Sequence, residues 1–174
     1  MKIACKQLVF LLLALFVSGA PELAQGKSNS IQHNGSGLPL PRFVSLRANE
    51  VNMRTGPGVQ YPIEWVYLRQ NLPMEIVAEF DTWRKVRDWQ GTQSWVHKSM
   101  LAGRRTLVVT GAERTLRARA DFRSAAIAKI EPGVVGHLIF CPVKSSWCRV
   151  KVAGHEGWLR RVEIWGMYRN EMVE

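Results

Sequence analysis

Asn52-Met-Arg-Thr-Gly-Pro-Gly58 joins a short alternation of polar and apolar residues to a proline that stands between two glycines. Glycine tolerates positive φ and proline fixes φ at about −65°, so this stretch predicts a strand that ends in a tight, rigid turn. A phosphate-binding loop would also need Lys-Ser or Lys-Thr and a following helix, and the sequence continues with neither. The loop instead runs on to Tyr61, which offers an aromatic side chain to a ligand.

The same pattern returns after about 63 residues, and this internal repeat organises the chain. Four blocks recur in the same order, namely Val51-Asn-Met-Arg54 with Thr115-Leu-Arg117, Leu68-Arg-Gln-Asn-Leu72 with Ile130-Glu-Pro-Gly-Val134, Trp83-Arg-Lys-Val-Arg87 with Trp147-Cys-Arg-Val-Lys151, and Gly91-Thr-Gln-Ser-Trp-Val96 with Gly154-His-Glu-Gly-Trp-Leu159. A unit of 50 to 60 residues is marginally stable because it buries only about 60% of its unfolded surface. We therefore expect the two copies to pack together.

Short apolar or alternating runs, broken by Gly, Pro, Asn and Asp, predict an all-β protein. No stretch keeps a helical spacing over three turns. The predicted strands of the first copy are Glu50–Arg54, Glu64–Leu68, Pro73–Glu79, Trp83–Asp88 and Gln93–His97.

Taken together, the Asn-Met-Arg-Thr-Gly-Pro-Gly run, the Trp-x-x-Val block and the Gly-x-x-x-Trp-Val block resemble the bacterial SH3 domain, as found in small exported tandem-repeat proteins of alphaproteobacteria. The resemblance implies two tandem SH3-like small β-barrels, at 43–103 and 104–168, followed by a C-terminal tail at 169–174. It places Trp95 and Trp158 in or beside the cores. The second copy departs from the pattern at Arg117-Ala-Arg-Ala-Asp121, so we expect its first loop to differ in shape.

The N-terminus has the features of a cleaved signal peptide over residues 1–26, with Lys2 and Lys6 before an apolar run from Leu8 to Val17 and small residues after it. Ten apolar residues span about 15 Å as a helix, about half of a hydrocarbon core, so we expect no transmembrane span in the mature form. A flexible leader rich in Ser, Asn and Gly follows at 27–42. These features predict an exported protein of the periplasm.

The net charge of +10 suggests nucleic acid at first sight, but export removes most such partners. The excess lies in the second copy: residues 43–101 hold seven basic and six acidic residues, and residues 114–166 hold ten and four. We predict a basic face that attracts anionic envelope polymers or lipid headgroups; a solvated face that only confers solubility is the alternative. Its residues are Arg117, Arg119, Arg149, Lys151, Arg160 and Arg161.

In the first copy, Tyr61, Trp65, Trp83 and Arg84 form our candidate ligand-binding groove. Aromatic faces stack on sugar rings and on apolar parts of peptides, and arginine contacts carboxylates. Trp83 and Trp147 each start a strand after polar residues, which makes them candidates for half-exposed positions, with packing in the fold as the alternative. The expected partner is cell-wall peptidoglycan or another envelope component. The alternative is a periplasmic adaptor whose partner is an envelope protein.

Cys141 and Cys148 are the two cysteines that remain after removal of the signal peptide. Export makes them competent to form a disulfide across a hairpin, and two buried free thiols are the alternative. The sequence has no His-x-x-x-His, Cys-x-x-Cys or Gly-x-Ser-x-Gly pattern. We therefore expect a protein that is not an enzyme and holds no metal and no cofactor.

Overall fold

The computed structural model describes residues 35–174, so the predicted signal peptide and most of the leader lie outside the described residues. The first repeat forms seven strands, β1 to β7, at Arg42–Leu46, Val51–Arg54, Ile63–Tyr67, Pro73–Phe80, Trp83–Arg87, Gln93–His97 and Leu101–Ala102. A 3-10 turn at Lys98–Met100 leads into the last of them. The five predicted strands agree with β2 to β6 to within one residue at each end.

The second repeat forms strands β8 to β14 at Thr106–Val109, Arg114–Arg117, Ala126–Ile130, Val135–Phe140, Trp147–Val152, His155–Arg160 and Ile164–Trp165. Its 3-10 turn lies at Arg161–Glu163. Both sheets are antiparallel and have the same strand order, β3-β2-β6-β5-β4-β1-β7 and β10-β9-β13-β12-β11-β8-β14. The predicted internal repeat is thereby confirmed, and each unit is a seven-stranded ladder with an edge strand at either end.

Alternation along the strands separates a core from an outer face in each repeat. In β12, Cys148, Val150 and Val152 are buried while Arg149 and Lys151 are exposed. Successive side chains of a strand point to opposite faces, so this pattern buries one face of the sheet and leaves the other to solvent. The first core forms around Met53, and the second around Leu116 and Leu159. Each core is closed within its own repeat, apart from Val135, which packs against the first core.

Residues of the predicted leader and tail are tied to the sheets. The backbone N–H and the hydroxyl of Ser36 both donate to the Glu79 carboxylate, which also pairs with Arg42, the first residue of β1. Burial by itself would raise the pKa of Glu79, but the hydrogen bonds from Arg42 and Ser36 outweigh it and hold that pKa below its usual value. Val173, in the tail, is buried and exchanges two backbone hydrogen bonds with Cys141.

The two repeats contact each other at Phe43 of β1. This agrees with the expectation that two units of marginal stability pack together. The Phe43 ring lies edge-on to Trp165 with centroids 4.9 Å apart, and 4.8 Å from the centroid of Tyr168. The Arg105 guanidinium lies 5.8 Å from the same ring centre. The Tyr168 hydroxyl donates to Glu75 of β4 at 2.9 Å. Because three rings and a buried carboxylate are shared, the repeats form one packed unit.

Cys141 and Cys148 form a disulfide between β11 and β12, with their Cα atoms 4.4 Å apart. Both residues are fully buried in the second core, and both sulfur atoms contact the Met167 sulfur, at 3.7 and 3.4 Å. The bridge therefore ties the loop between these strands to the core of a small domain.

Removing this disulfide should destabilise the protein. For the Cys141→Ala/Cys148→Ala double variant we expect the free energy of unfolding to fall by about 2 to 3 kcal/mol, because the unfolded chain regains the freedom that a closed short loop denies it. Urea unfolding followed by tryptophan fluorescence measures the change. A reductant should lower the midpoint of the oxidised wild-type protein and leave that of the double variant unchanged. Equal midpoints for the oxidised protein and the variant would contradict the prediction.

Candidate functional site

An aromatic cleft lies beside the edge strand β3 of the first repeat, with a volume of about 230 Å³. It is lined by Trp65, Val66, Tyr67, Asp88, Trp89, Gln90 and Thr92. Strand β3 supplies one wall and the turn between β5 and β6 supplies the other. Trp65 is 53% exposed at the mouth of the cleft, and Trp89 packs against the first core.

Asp88 shapes the cleft from beneath. Its carboxylate is buried and accepts hydrogen bonds from the backbone N–H groups of Gln90 and Thr92, both at 2.9 Å, and from the Tyr67 hydroxyl at 2.7 Å. Burial, together with that hydrogen bond to a carboxylate, raises the pKa of Tyr67 well above its usual value. Both Asp88 oxygens are engaged, so this side chain fixes the turn that carries Trp89 and holds Tyr67 in place.

The cleft combines an exposed aromatic face with polar groups. An exposed indole face stacks on the apolar face of a sugar ring, and an amide or hydroxyl beside it fixes the orientation. Trp65 provides the indole, while Gln90 and Thr92 provide the polar groups. The backbone of β3 and the Asp88 turn hold these groups without help from a ligand.

The predicted groove is only partly assembled, since Trp83 and Arg84 are consecutive in β5 and point to opposite faces of the sheet. Arg84 is 6% exposed, and its guanidinium lies 3.0 Å from the Glu79 carboxylate. Trp83 is half-buried against His97, with ring centroids 5.6 Å apart. The Tyr61 ring covers Gly56 in the first loop. Of the four predicted residues, Trp65 alone lines the aromatic cleft.

Sequence reasoning missed Trp89 and Asp88 as parts of this site. The signal lay in Asp88-Trp-Gln-Gly91, because aspartate three residues before a glycine is typical of a turn in which the side chain accepts backbone N–H bonds. Gly91 indeed has a φ of +92°. The turn could be predicted from the sequence, but its position beside β3 depends on the order of strands in the sheet.

A row of cation, tryptophan and cation crosses the outer face of both sheets. In the first repeat Arg54, Trp95 and Lys85 are cross-strand neighbours, and in the second Arg117, Trp158 and Arg149 occupy the same positions. Cross-strand neighbours share a face, and both tryptophans are half-buried on this one. The expected position in or beside the cores is therefore narrowed: Trp95 and Trp158 lie half-buried on the outer face and belong to neither core cluster.

The first cation of each row also holds a loop. Arg54 donates to the carbonyl oxygens of Val59 and Tyr61, at 3.0 and 2.7 Å, and Arg117 donates to that of Ser124 at 2.9 Å. The two first loops differ in sequence, yet each is fastened by the arginine at the end of the preceding strand. These arginines therefore position the loops.

The predicted basic face is not one continuous surface. Arg119 and Lys151 are exposed, and Arg149 pairs with Glu156 at 2.8 Å. The Arg160 guanidinium lies over Phe122, 5.1 Å from the ring centre. Arg161 is only 8% exposed because its guanidinium donates to backbone carbonyl groups. Arg161 therefore belongs to the framework. The charge of the second repeat is divided between the outer face of the sheet and a second cleft, which lies beside the loop that joins β11 to β12.

For Trp147 the sequence left a half-exposed position and packing as alternatives, and the structure shows packing, since the residue is 8% exposed. The Phe122 ring packs edge-on against it, with centroids 5.1 Å apart. Phe122 lies in the loop that differs between the repeats, so the sequence of β12 alone does not show this cover.

Two absences concern residues 35–174. No helix in this part of the chain is long and apolar enough to cross a membrane. The same residues also bring together no group of three or more His, Cys, Asp or Glu side chains that could hold a metal ion.

Comparison with known proteins identifies the family. No curated protein matches the chain significantly. Among solved structures, NlpC2 and NlpC1 from Trichomonas vaginalis are 12% and 11% identical over 72% and 78% of this chain, each with a TM-score of 0.33. The chain spans about half the length of these structures, 48% and 49%, and values this low are no basis for transferring a fold or a function. Residues 47–103 and 110–166 each match the family described as bacterial SH3 domain, and together these segments cover more than half of the sequence. The chain therefore belongs to the bacterial SH3 domain family and carries two copies of the domain in tandem.

Proposed function

We propose that this protein is a non-catalytic binding module of the cell envelope, which recognises the glycan of peptidoglycan through the aromatic cleft of its first domain. The observation that carries the proposal is Trp65, a large aromatic side chain that is 53% exposed at the mouth of a preformed cleft. Isolated exposed apolar residues are common, but an exposed indole over a built cleft is typical of ligand sites.

The rest of the cleft supports binding and offers no group for catalysis. The Asp88 carboxylate is buried and fully hydrogen-bonded, so it is not available to accept a proton from a substrate. Cys141 and Cys148 are joined in a disulfide, which removes these two as nucleophiles. Membership of the bacterial SH3 family agrees with a binding role. The proposed location is the periplasm, where peptidoglycan is accessible, and the signal-like N-terminus supports it.

Binding to purified sacculi tests the proposal. We expect saturable co-sedimentation of the wild-type protein and a loss of affinity of about tenfold or more in Trp65→Ala, because a central tryptophan dominates the energy of many interfaces. Phe122→Ala is the matched control, since Phe122 is an aromatic residue that is 60% exposed in the other domain. Circular dichroism of each variant should match the wild type.

Soluble muropeptides provide the second readout. Their addition should change the tryptophan fluorescence of the wild-type protein and leave that of Trp65→Ala nearly unchanged. The proposal fails if the wild type does not bind sacculi saturably, or if Trp65→Ala binds as well as the wild type. Capture of an envelope protein by cross-linking, without binding to sacculi, would favour the adaptor function instead.

A further inference from the structure

A second and larger cleft, of about 620 Å³, lies in the second domain. It opens between the loop that joins β11 to β12 and the segment that follows β13, and we call it the basic cleft. Its volume is within the range of small-molecule sites. It is lined by Val143, Lys144, Ser145, Ser146, Arg160, Arg161, Val162, Arg169 and Asn170.

Arg161 builds the basic cleft by joining its two walls. Its guanidinium donates to the carbonyl oxygens of Pro142 and Ser145 in the loop, both at 2.7 Å, and to that of Glu171 in the C-terminal segment at 2.9 Å. Burial lowers the pKa of this guanidinium from its usual value, while the Glu171 charge opposes the shift. Since the disulfide anchors the same loop, the cleft is held open by the fold.

Three further cations of the cleft have no carboxylate partner among the described residues. They are the exposed Lys144 and Arg169 and the half-buried Arg160, whose guanidinium also lies over the Phe122 ring. Elsewhere on this domain, exposed Lys129 pairs with Glu113 at 3.0 Å and exposed Arg149 with Glu156 at 2.8 Å, while Arg119 and Lys151 have no such partner among the described residues. The Arg160 Nε atom is buried without a hydrogen-bond partner in the part of the chain that the structure describes. Like charges gathered without counter-charges favour an anion in their midst.

Neighbouring carboxylates are engaged with other groups of the protein. Glu163 accepts a hydrogen bond from the Arg160 backbone N–H at 2.8 Å. Glu171 pairs with Arg105. Burial alone would raise the pKa of Glu171, but the hydrogen bonds from Arg105 outweigh this effect and hold that pKa below its usual value. The cleft lining contains no acidic residue. An anionic ligand would therefore meet no like charge at the cleft surface.

The remaining lining residues define the rest of the ligand. Ser146 and Asn170 are exposed and supply a hydroxyl and an amide for hydrogen bonds. Val143 and Val162 are 48% and 69% exposed at the rim, where they can cover a short aliphatic chain. We propose that the basic cleft binds a compact ligand that carries two or more oxyanion groups, carboxylate or phosphate, on a short aliphatic scaffold. This site is separate from the aromatic cleft and acts independently of it.

Calorimetric titration of the full chain at low salt tests the basic cleft. The probes are propane-1,2,3-tricarboxylate and propane-1,3-diol bisphosphate, which each carry two or more oxyanion groups, with glycerol as the uncharged comparison. We expect saturable binding of at least one charged probe, no binding of glycerol, and a lower affinity as salt screens the charges. The probe that binds more tightly identifies the preferred oxyanion. Amide chemical shifts should change at 143–146 and 169–170.

Matched variants locate the binding. Lys144→Ala/Arg169→Ala should lower the affinity about tenfold, because charge-assisted hydrogen bonds to an oxyanion are strong. Both residues are exposed, so the fold should not suffer. Arg149→Ala, an exposed arginine outside the cleft, should bind as the wild type does, and so should Trp65→Ala. The proposal is overturned if neither charged probe binds saturably, or if Arg149→Ala loses as much affinity as the double variant.

Discussion

Replacing Gly166 with alanine should lower the free energy of unfolding by at least about 3 kcal/mol, through backbone strain and overpacking together. Gly166 has a φ of +130°, a conformation that other residues rarely adopt. A Cβ atom at this position would lie 2.2 Å from the Thr106 carbonyl oxygen and 3.1 Å from the Leu107 Cα atom. Both are backbone atoms of β8, which pairs with β14 directly before the glycine, so neither can move without breaking that ladder.

Urea unfolding measures the effect of Gly166→Ala, and Gly103→Ala is the matched control. A Cβ atom at Gly103 meets nothing within 4 Å, and its φ is not in the positive region. We expect Gly103→Ala to shift the free energy of unfolding by less than about 0.5 kcal/mol, as a surface substitution does. Equal midpoints for the two variants would show that the close approach of Gly166 to β8 is not maintained in solution.

Phe43→Ala should cost about 3 to 5 kcal/mol, the usual cost of truncating a buried phenylalanine. The ring is 9% exposed and contacts Trp165, Tyr168 and Arg105, all in the second domain or in the segment that follows it. The loss should therefore reach both domains, although Phe43 belongs to the first. Leu68→Ala is the control, because Leu68 is 74% exposed and its truncation should change the free energy by less than about 0.5 kcal/mol.

Native-state hydrogen exchange distinguishes a shared effect from a local one. In Phe43→Ala, protection should fall at the amides of β4 and also at those of β12. If it falls in β4 alone, the contact between the domains does not couple their stabilities, and the prediction is wrong. A lower unfolding midpoint with unchanged amide protection in β12 would also contradict the prediction.

The sequence predicted strands and repeats well because both depend on local patterns. Alternation and turn residues located β2 to β6, and the spacing of the two tryptophan blocks located the second sheet. Strand β1 was missed because Arg42 and Phe43 directly follow a stretch of Ser, Gly and Pro, which reads as a linker. The disulfide could be predicted because only two cysteines, Cys141 and Cys148, follow the predicted signal peptide.

The site was harder to predict because it depends on how elements meet. Trp65 could be recognised as an unusual aromatic residue, but its neighbour Trp89 is 24 positions away and reaches it only through the order of the strands. Arg84 and Arg161 look like surface cations in the sequence. Arg84 is buried against a carboxylate, and Arg161 is buried against backbone carbonyl groups. Neither partner can be identified from the spacing of charges.

The position of β3 at the edge of the first sheet has a consequence for the behaviour of the protein at high concentration. One side of this strand is unpaired in the ladder, and its apolar residues Ile63, Trp65 and Val66 are each close to half exposed. An open edge with apolar side chains can template pairing with another chain. Glu64 places a negative charge within this five-residue strand, and pairing with a second copy of β3 would bring another such charge close to it. Glu64, the residue next to Trp65, thus opposes self-association at the strand that borders the aromatic cleft.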